Sequence, residues 1–423
     1  MLSSICEPHE DKKDMKRLGN IYKDVVDVDL VISDIIDGTK FKRGKREVRW
    51  LLYDQPVVKE HPELYHQIDP TKARKYAQYL VNLLESGAWR HKKPRHLRRY
   101  CQNRTHGGGK WRNLSVPCLD DHIIAHMVVR ASERAFMRGM HPHCCGSVPG
   151  RGIKHVVKTV SRWLKGDKEC RYFVKLDIRH FFENIDRNLL RTVIASKIKD
   201  KKVIEILFQI VDSDDTACPI GYYTSPWLAN LFLQDFDHFI EQRLYKERRG
   251  KRIKYARHYL RYVDDMLLVG TCKGDLLKAI KAIKRYLMDN YGLEIKDNWE
   301  IKAIGKHEIV DGKWRLKPGT YWCDIGGYKF CKDSVILRDG IYLSTTRLAR
   351  RMAKKGYYTL HDCESLNSRI GWSMHCDNHN LLNDKIKPYV DLDRVRKVVS
   401  ICGQSRKTAK LLSLPKSNIP GTM

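Results

Sequence analysis

The sequence predicts an α+β protein with an antiparallel sheet that carries a cluster of carboxylates. Three observations predict it. Residues 260–270, LRYVDDMLLVG, read as a hairpin of two buried strands with Asp264 and Asp265 at its tip. Residues 171–182, RYFVKLDIRHFF, open with an apolar strand that delivers Asp177 to its C-terminal end. Around these strands lie segments with apolar residues at helix spacing, as from Asp120 to Met137.

Neighbouring acids in one straight strand point to opposite faces, whereas a tight turn lets one or both reach a common cation. Unpaired carboxylates are costly to bury, so an acidic pair held between apolar strands is explained by a hard, oxygen-seeking Mg²⁺. Taken alone, Asp-Asp reads equally well as a polar hairpin turn.

The 423 residues suffice for about two or three domains and an ample core. The 80 Lys+Arg against 50 Asp+Glu leave a formal charge of +30, a field that collects polyanions. With 21 Tyr and 9 Trp available for stacking, nucleic acid is the first partner to consider. An acidic protein or an anionic membrane surface fits the same charge. No apolar run approaches the ~20 residues of a membrane span, and the N-terminus lacks the apolar core of a signal peptide, so a cytoplasmic protein is expected. Thirteen cysteines without framework spacing then read as reduced thiols.

In chain order, residues 1–100 form a mostly helical N-terminal extension ending in the basic cluster Arg90 to Tyr100. Gly107, Gly108 and Gly109 make a flexible turn, followed by a strand with Lys110 and Arg112 on one face, where freed backbone and cations suit phosphate. This stretch does not match a Walker loop. Arg151, between Gly150 and Gly152, is a second glycine-bracketed cation leading into a helix through Trp163, and an ordinary turn there is as good a reading. After Phe182, Asn184 or Asp186 caps a helix. A glycine-containing loop from Cys218 leads into a long amphipathic helix to about Tyr245, then a basic segment from Lys246 to Arg257. Beyond the hairpin, Lys278 to Tyr291 is helical, Gly292 to Lys296 returns as a strand, and Gly326 to Phe330 pairs with Val335 to Arg338.

The last ~85 residues read as a separate, thinly apolar helical module, with Arg347, Arg350, Arg351 and further cations to Arg406, Lys407 and Lys410 placed along a nucleic-acid backbone. His361, Cys363, His375, Cys376 and His379 supply zinc ligands in number, but their spacing matches no standard finger, and His141, His143, Cys144 and Cys145 fare no better.

Asp177 with an aromatic residue five later, then Gly221-x-x-x-Ser225-Pro226, then Tyr262-x-Asp264-Asp265, then an aromatic hairpin, resembles the motif succession of reverse transcriptases over roughly Lys110 to Arg338. The resemblance implies a right-hand polymerase, with fingers and palm over 101–335 and a basic helical thumb over 336–423. It makes Asp177, Asp264 and Asp265 catalytic, with Asp177, Ile178, Asp264 and Asp265 holding two Mg²⁺, or Mn²⁺ in their place. Lys110, Arg112, Phe182, Gly221, Ser225 and Pro226 would bind the dNTP, with Phe182 against a ribose 2′-hydroxyl. Arg151, Tyr262, Gly327, Tyr328, Arg347, Arg350 and Arg351 would contact nucleic acid.

Two features depart from the family pattern. Ile220 stands where many reverse transcriptases have Gln, which is similar to diversity-generating retroelement enzymes, yet those carry Ser-Gln where this chain has Ser225-Pro226. The lysine of the block after the hairpin is displaced, Lys296 and Lys302 flanking Trp299. Retron signatures (Asn-Ala-x-x-His, Val-Thr-Gly), ribonuclease H, protease and HNH modules are absent from this sequence. What is left resembles a stand-alone bacterial reverse transcriptase of the unknown group, many of them defence-associated, related to diversity-generating and group II intron enzymes. It implies copying of a bound, structured noncoding RNA into cDNA for antiphage defence. The alternatives are an error-prone diversity-generating enzyme, a template-independent DNA polymerase of the same fold, and a non-catalytic RNA-binding protein.

Overall fold

A computed structural model of the chain describes residues 17–40, 42, 45–53, 68–102, 109–310, 313–377 and 379–404. Gly107, Gly108, Arg406, Lys407 and Lys410 lie outside the described residues. The N-terminal helices follow ordinary cap chemistry. Asp27 caps Val28–Thr39 through the amides of Asp29 and Leu30, and Asp69 caps Pro70–Glu85, a helix that also begins with proline. Val31, Ile35, Ala77 and Leu80 are buried in one core with Ile123, Ile124 and Val128 of the helix Leu119–Met137. The N-terminal helices and the helix Leu119–Met137 therefore fold around a common interior.

The basic cluster ending at Tyr100 becomes strand β1 (Arg95–Gln102), paired antiparallel with β2 (Gly109–Val116). Arg99 stands opposite Arg112, and Cys101 opposite Lys110. Near the base of this hairpin, the Ser115 amide donates to the Ile220 carbonyl at 2.8 Å.

A five-stranded sheet carries the acids, in the order β3 (Cys144–Cys145), β7 (His258–Tyr262), β8 (Asp265–Gly270), β4 (Tyr172–Asp177), β9 (Lys302–Ala303). The β3–β7 pair is parallel and the rest antiparallel. Leu176, Met266 and Leu268 face the first core; Phe173, Leu267 and Val269 face a second. Both faces being covered explains why these strands read as nearly continuous apolar runs.

Three expectations are corrected. The long helix toward Tyr245 is two pieces, Ser225–Phe232 and Gln234–Arg243, because Leu233 takes φ −91°, ψ 11° and leaves the helical ladder. The basic segment after it folds as a hairpin, β5 (Tyr245–Arg248) on β6 (Lys251–Lys254), turning at Arg249 and Gly250 with positive φ. Gly292 to Lys296 makes only the bridge Ile178↔Ile295, just past the end of β4, while β9 pairs with β4 at Tyr172 and Phe173.

After the short hairpin β10 (His307–Val310) and β11 (Lys313–Leu316), a small sheet, β12 (Cys323–Ile325), β13 (Tyr328–Phe330) and β14 (Val335–Leu337), leads into helices Asp339–Lys355, Leu360–Ser373, His379–Lys385 and Leu392–Gln404. The module expected to be thinly apolar has a real core. Leu348, Ala349, Met352, Leu366, Ile370 and Val395 are buried together with Ile325, Tyr328 and, from the helix Ile153–Gly166, Val156 and Val160. This second core joins residues on both sides of position 335. Among the described residues, no helix is long and apolar enough to cross a membrane.

Candidate active site

Antiparallel registry sets Asp177, the last residue of β4, directly opposite Asp265, the first of β8. Asp264 occupies the intervening turn. Burial first, then the charges of Asp265 and Asp177, hold its carboxyl above the ordinary range, despite its own backbone and Lys296 acting the other way. Lysines stand among the acids. Lys296 Nζ lies 2.5 Å from Asp177 Oδ1 and Lys175 Nζ 3.3 Å from Asp265 Oδ1. Asp177 Oδ1 is buried and makes no directed hydrogen bond, so its contact with Lys296 is ionic only. Three carboxylates, one of them resisting ionisation and one with an undirected buried oxygen, form an oxygen donor set suited to hard divalent cations.

The tip of the hairpin is strained. Val263, β-branched, takes φ 60°, a left-handed conformation that costs about 1–3 kcal/mol in such a residue. Tertiary contacts hold it there. Its amide donates to the Cys145 carbonyl at 3.2 Å, and its carbonyl accepts from Arg261 Nη1 at 3.0 Å. Gly146, at φ 84°, packs so closely that a Cβ there would stand 2.9 Å from Val263 Cγ2.

Arg261 is the residue that sequence reasoning missed. Its side chain is fully buried, as is that of Asp237, which it grips with Nε at 2.8 Å and Nη2 at 2.6 Å. Nη1 also donates to Asn230 Oδ1 at 3.0 Å, and Tyr259 donates to Asp237 at 2.7 Å. Asn230 in turn donates to the Gly146 carbonyl at 2.9 Å. One network thus ties both pieces of the broken helix to the acidic turn. The signal was present in the sequence: an arginine inside an apolar strand demands a buried partner.

Ile178 is buried beside Asp177 and bridges Ile295, and the Lys296 amide donates to the Asp177 carbonyl at 2.9 Å. Lys296, displaced in the sequence pattern, is therefore inside the site. Phe181 enters the core while Phe182, half-buried, packs against its edge, the ring centroids 5.4 Å apart. Lys110 and Arg112 are exposed on β2. Gly221 is required twice over, by φ 118° and by the 2.5 Å that would separate a Cβ from the Ser115 carbonyl. Pro226 lies in the first turn of its helix.

Other expected contacts are corrected. Ser225 is buried and its hydroxyl donates to the Pro219 carbonyl at 2.8 Å, which shapes the loop instead of facing a nucleotide. Tyr328 is fully buried, stacked on Trp372 with its hydroxyl donating to the Trp372 carbonyl at 2.7 Å. Gly327 exists to admit that tryptophan, 2.6 Å from where its Cβ would be. Both anchor the small sheet to the C-terminal helices and neither is open to nucleic acid. Arg151 is half-buried and donates to the His141 carbonyl at 2.8 Å, bracing the loop that carries Gly146. Tyr262 is half-buried beside the acids, and Arg347, Arg350 and Arg351 are exposed on the helix Asp339–Lys355. Neither suspected zinc cluster gathers its ligands among the described residues, the side chain of His379 lying outside them.

The family described as "Reverse transcriptase (RNA-dependent DNA polymerase)" matches residues 92–298, which include Lys110, Asp177, Gly221, Asp264 and Asp265. The chain is 26% identical over 248 residues to the Retron Ec73 reverse transcriptase of Escherichia coli, covering 57% of this chain and 72% of that protein. It is 25% identical over 194 residues to Protein YkfC of Escherichia coli (strain K12), covering 38% and 51%, so it spans about half of that relative. With the Group II intron-encoded protein LtrA of Lactococcus lactis subsp. cremoris it shares 29% identity over 143 residues, 31% of this chain and 23% of that one. Among solved structures it matches apo telomerase from Candida tropicalis, truncated from its C-terminal domain, at 12% identity and TM-score 0.39 over 73% of this chain and 76% of that one. The chain has the α+β, right-hand polymerase fold, and over residues 92–298 it matches the reverse transcriptase family.

Proposed function

We propose that this protein copies a bound, structured noncoding RNA into cDNA from dNTPs, in the service of antiphage defence. The observation that carries the catalytic part is the apposition of Asp177 and Asp265 across two paired strands, with Asp264 on the strained turn between. Family members generally depend on divalent metal, and a pair of Mg²⁺ ions, or Mn²⁺, supplies Lewis acidity for the attacking 3′-hydroxyl and the departing pyrophosphate. Asp177, Asp264 and Asp265 are the residues to hold them, with the backbone of Ile178 alongside. Lys110 and Arg112 take the triphosphate, as charge-assisted donors on an exposed strand. Phe182 offers its ring to the sugar edge. Gly221 and Pro226 shape the loop beneath the nascent pair, which reaches the Lys110 strand through the Ser115–Ile220 hydrogen bond.

The defence role rests on the charge of +30 and on the likeness to a retron reverse transcriptase. So basic a surface favours stable retention of one RNA, recognised by shape and backbone. The domain division into an N-terminal extension to residue 100, fingers and palm to 335 and thumb beyond belongs to the same reading. The test sequences RNA and cDNA bound to the protein in cells with and without phage, beside an Asp265→Asn control. One dominant noncoding template, with cDNA that changes on infection and vanishes in the control, is expected. Adenine-directed errors matching a protein-coding repeat would replace this reading with diversification, and Ile220 would then be the first position to mutate.

A further inference from the structure

Outside the catalytic site, two groups of mixed nitrogen, sulfur and oxygen ligands converge. In each, the ligand atoms all lie within 4.8 Å of one another. The first, Asp167, Cys170 and His258, is already served by protein charge. Arg257 and His258 both donate to Asp167 Oδ2, and the His258 ring is stacked on Trp163. The second, His307, Cys331 and Asp333, differs in that no lysine or arginine among the described residues is paired with Asp333.

Its scaffold is well ordered by hydrogen bonds. Cys331 and Asp333 sit two residues apart in the turn between β13 and β14, closed by the Cys331 amide donating to the Ser334 carbonyl at 3.0 Å. His307 begins β10 and is brought in by the Lys332 amide donating to the Gly305 carbonyl at 2.8 Å. One oxygen of Asp333, Oδ2, accepts from the His307 amide at 3.0 Å. That leaves Oδ1 aimed at His307 Nδ1, 2.9 Å away, and at Cys331 Sγ, also 2.9 Å away. Sγ and Nδ1 are 3.7 Å apart, and the Ser334 hydroxyl lies 3.1 Å from the sulfur.

We propose that His307 Nδ1, Cys331 Sγ and Asp333 Oδ1 bind one Zn²⁺. Imidazole, thiolate and carboxylate form a donor set typical of zinc, and three protein ligands leave a fourth tetrahedral position for water. Zinc bonds of about 2.0–2.3 Å separate tetrahedral ligand atoms by about 3.3–3.7 Å. The sulfur–nitrogen distance already falls there, and the two shorter contacts are hydrogen bonds that open by about half an ångström when metal replaces the bridging proton. Binding expels the thiol proton to solvent: the S–H bond breaks and a Zn–S bond forms, with His307 ligating through the lone pair of its Nε2–H tautomer. The Asp333 oxygen held by the His307 amide is the outer support that fixes the ligand.

The site clamps the β10 hairpin to the β13–β14 turn. Close by, at the start of β14, Val335 exchanges hydrogen bonds with Asp377, its amide donating to Oδ2 at 2.8 Å and its carbonyl accepting from the Asp377 amide at 2.7 Å. Zinc there therefore stiffens the sheet on which the C-terminal helices are seated.

The test measures metal content and spectrum of the full chain. Wild type purified without chelator is expected to carry one zinc per chain, and Co²⁺ exchanged into it to show tetrahedral visible bands with a near-ultraviolet sulfur-to-cobalt band. Cys331→Ser should lose the sulfur band, and Asp333→Asn should bind Co²⁺ at least about tenfold more weakly. Cys170→Ser should leave both signals unchanged. Wild type that neither contains zinc nor binds added Zn²⁺ or Co²⁺ at micromolar concentration overturns the assignment. So does loss of the sulfur band in Cys170→Ser with its retention in Cys331→Ser. Wild type without metal overturns the assignment even if a variant fails to fold, the Cys331→Ser and Cys170→Ser pair assigns the sulfur, and none of the measurements depends on polymerase activity.

Discussion

At the scale of single residues, the acidic site trades stability for function. Asp264 has its carboxyl pushed above the ordinary range by burial and by two neighbouring carboxylates. A folded state that holds a proton more tightly than the unfolded one loses stability as pH rises. For Asp264 the loss sets in just above the ordinary carboxylate range and is complete once pH exceeds the raised folded value. Asp264→Asn removes the ionised group, so without metal this variant should melt higher than wild type near neutral pH. The difference should vanish in acid, where the carboxyl is protonated in both states. Its nucleotide incorporation should fall by at least about 100-fold, because several kcal/mol of charge stabilisation go with the ligand. Melting curves in chelator across pH, beside a primer-extension assay, check both halves. A variant that melts lower at pH 7 would refute the repulsion argument.

At the scale of elements, the acidic hairpin is only as good as the network behind it. The Arg261–Asp237 pair is wholly buried, and removing one partner leaves an uncompensated charge at a cost of about 3–5 kcal/mol. Asp237→Leu should therefore be strongly destabilised in a denaturant titration. Adding Arg261→Met should restore much of the loss, since an apolar replacement of a buried pair is close to neutral. Polymerisation should stay impaired in the double variant, because Val263 still lacks the guanidinium that holds its carbonyl at φ 60°. A stable double variant with wild-type activity would show that the network supports folding alone.

At the scale of the whole molecule, charge dominates association. The 80 basic residues predict RNA affinity that falls steeply with salt. Replacing Arg347, Arg350 and Arg351 with glutamine should lower the slope of log K against log salt by about one for each phosphate contact removed. Fluorescence-anisotropy titrations at several salt concentrations measure it. An unchanged slope would move the RNA path off the helix Asp339–Lys355. Two cores back this surface, one running from the N-terminal helices to Ile295 and the other joining the small sheet to the C-terminal helices.

The sequence by itself determined the strands that carry Asp177, Asp264 and Asp265, because acids set at the ends of apolar runs are costly to bury unless a cation meets them there. Local chemistry also narrowed the cap after Phe182 to Asn184 or Asp186, and Asp186 takes it, since a cap acts within a few residues. Only the tertiary structure decided which polar and aromatic residues face outward. Ser225, Tyr328 and Arg151 have the right chemistry for a ligand, yet each is engaged by a backbone carbonyl of the protein itself. Only it, too, could bring Lys296 to Asp177, Arg261 to Asp237 and His307 to Cys331, partners separated by many residues. Burial and long-range pairing depend on how separate elements pack, and no local pattern of side chains encodes that packing.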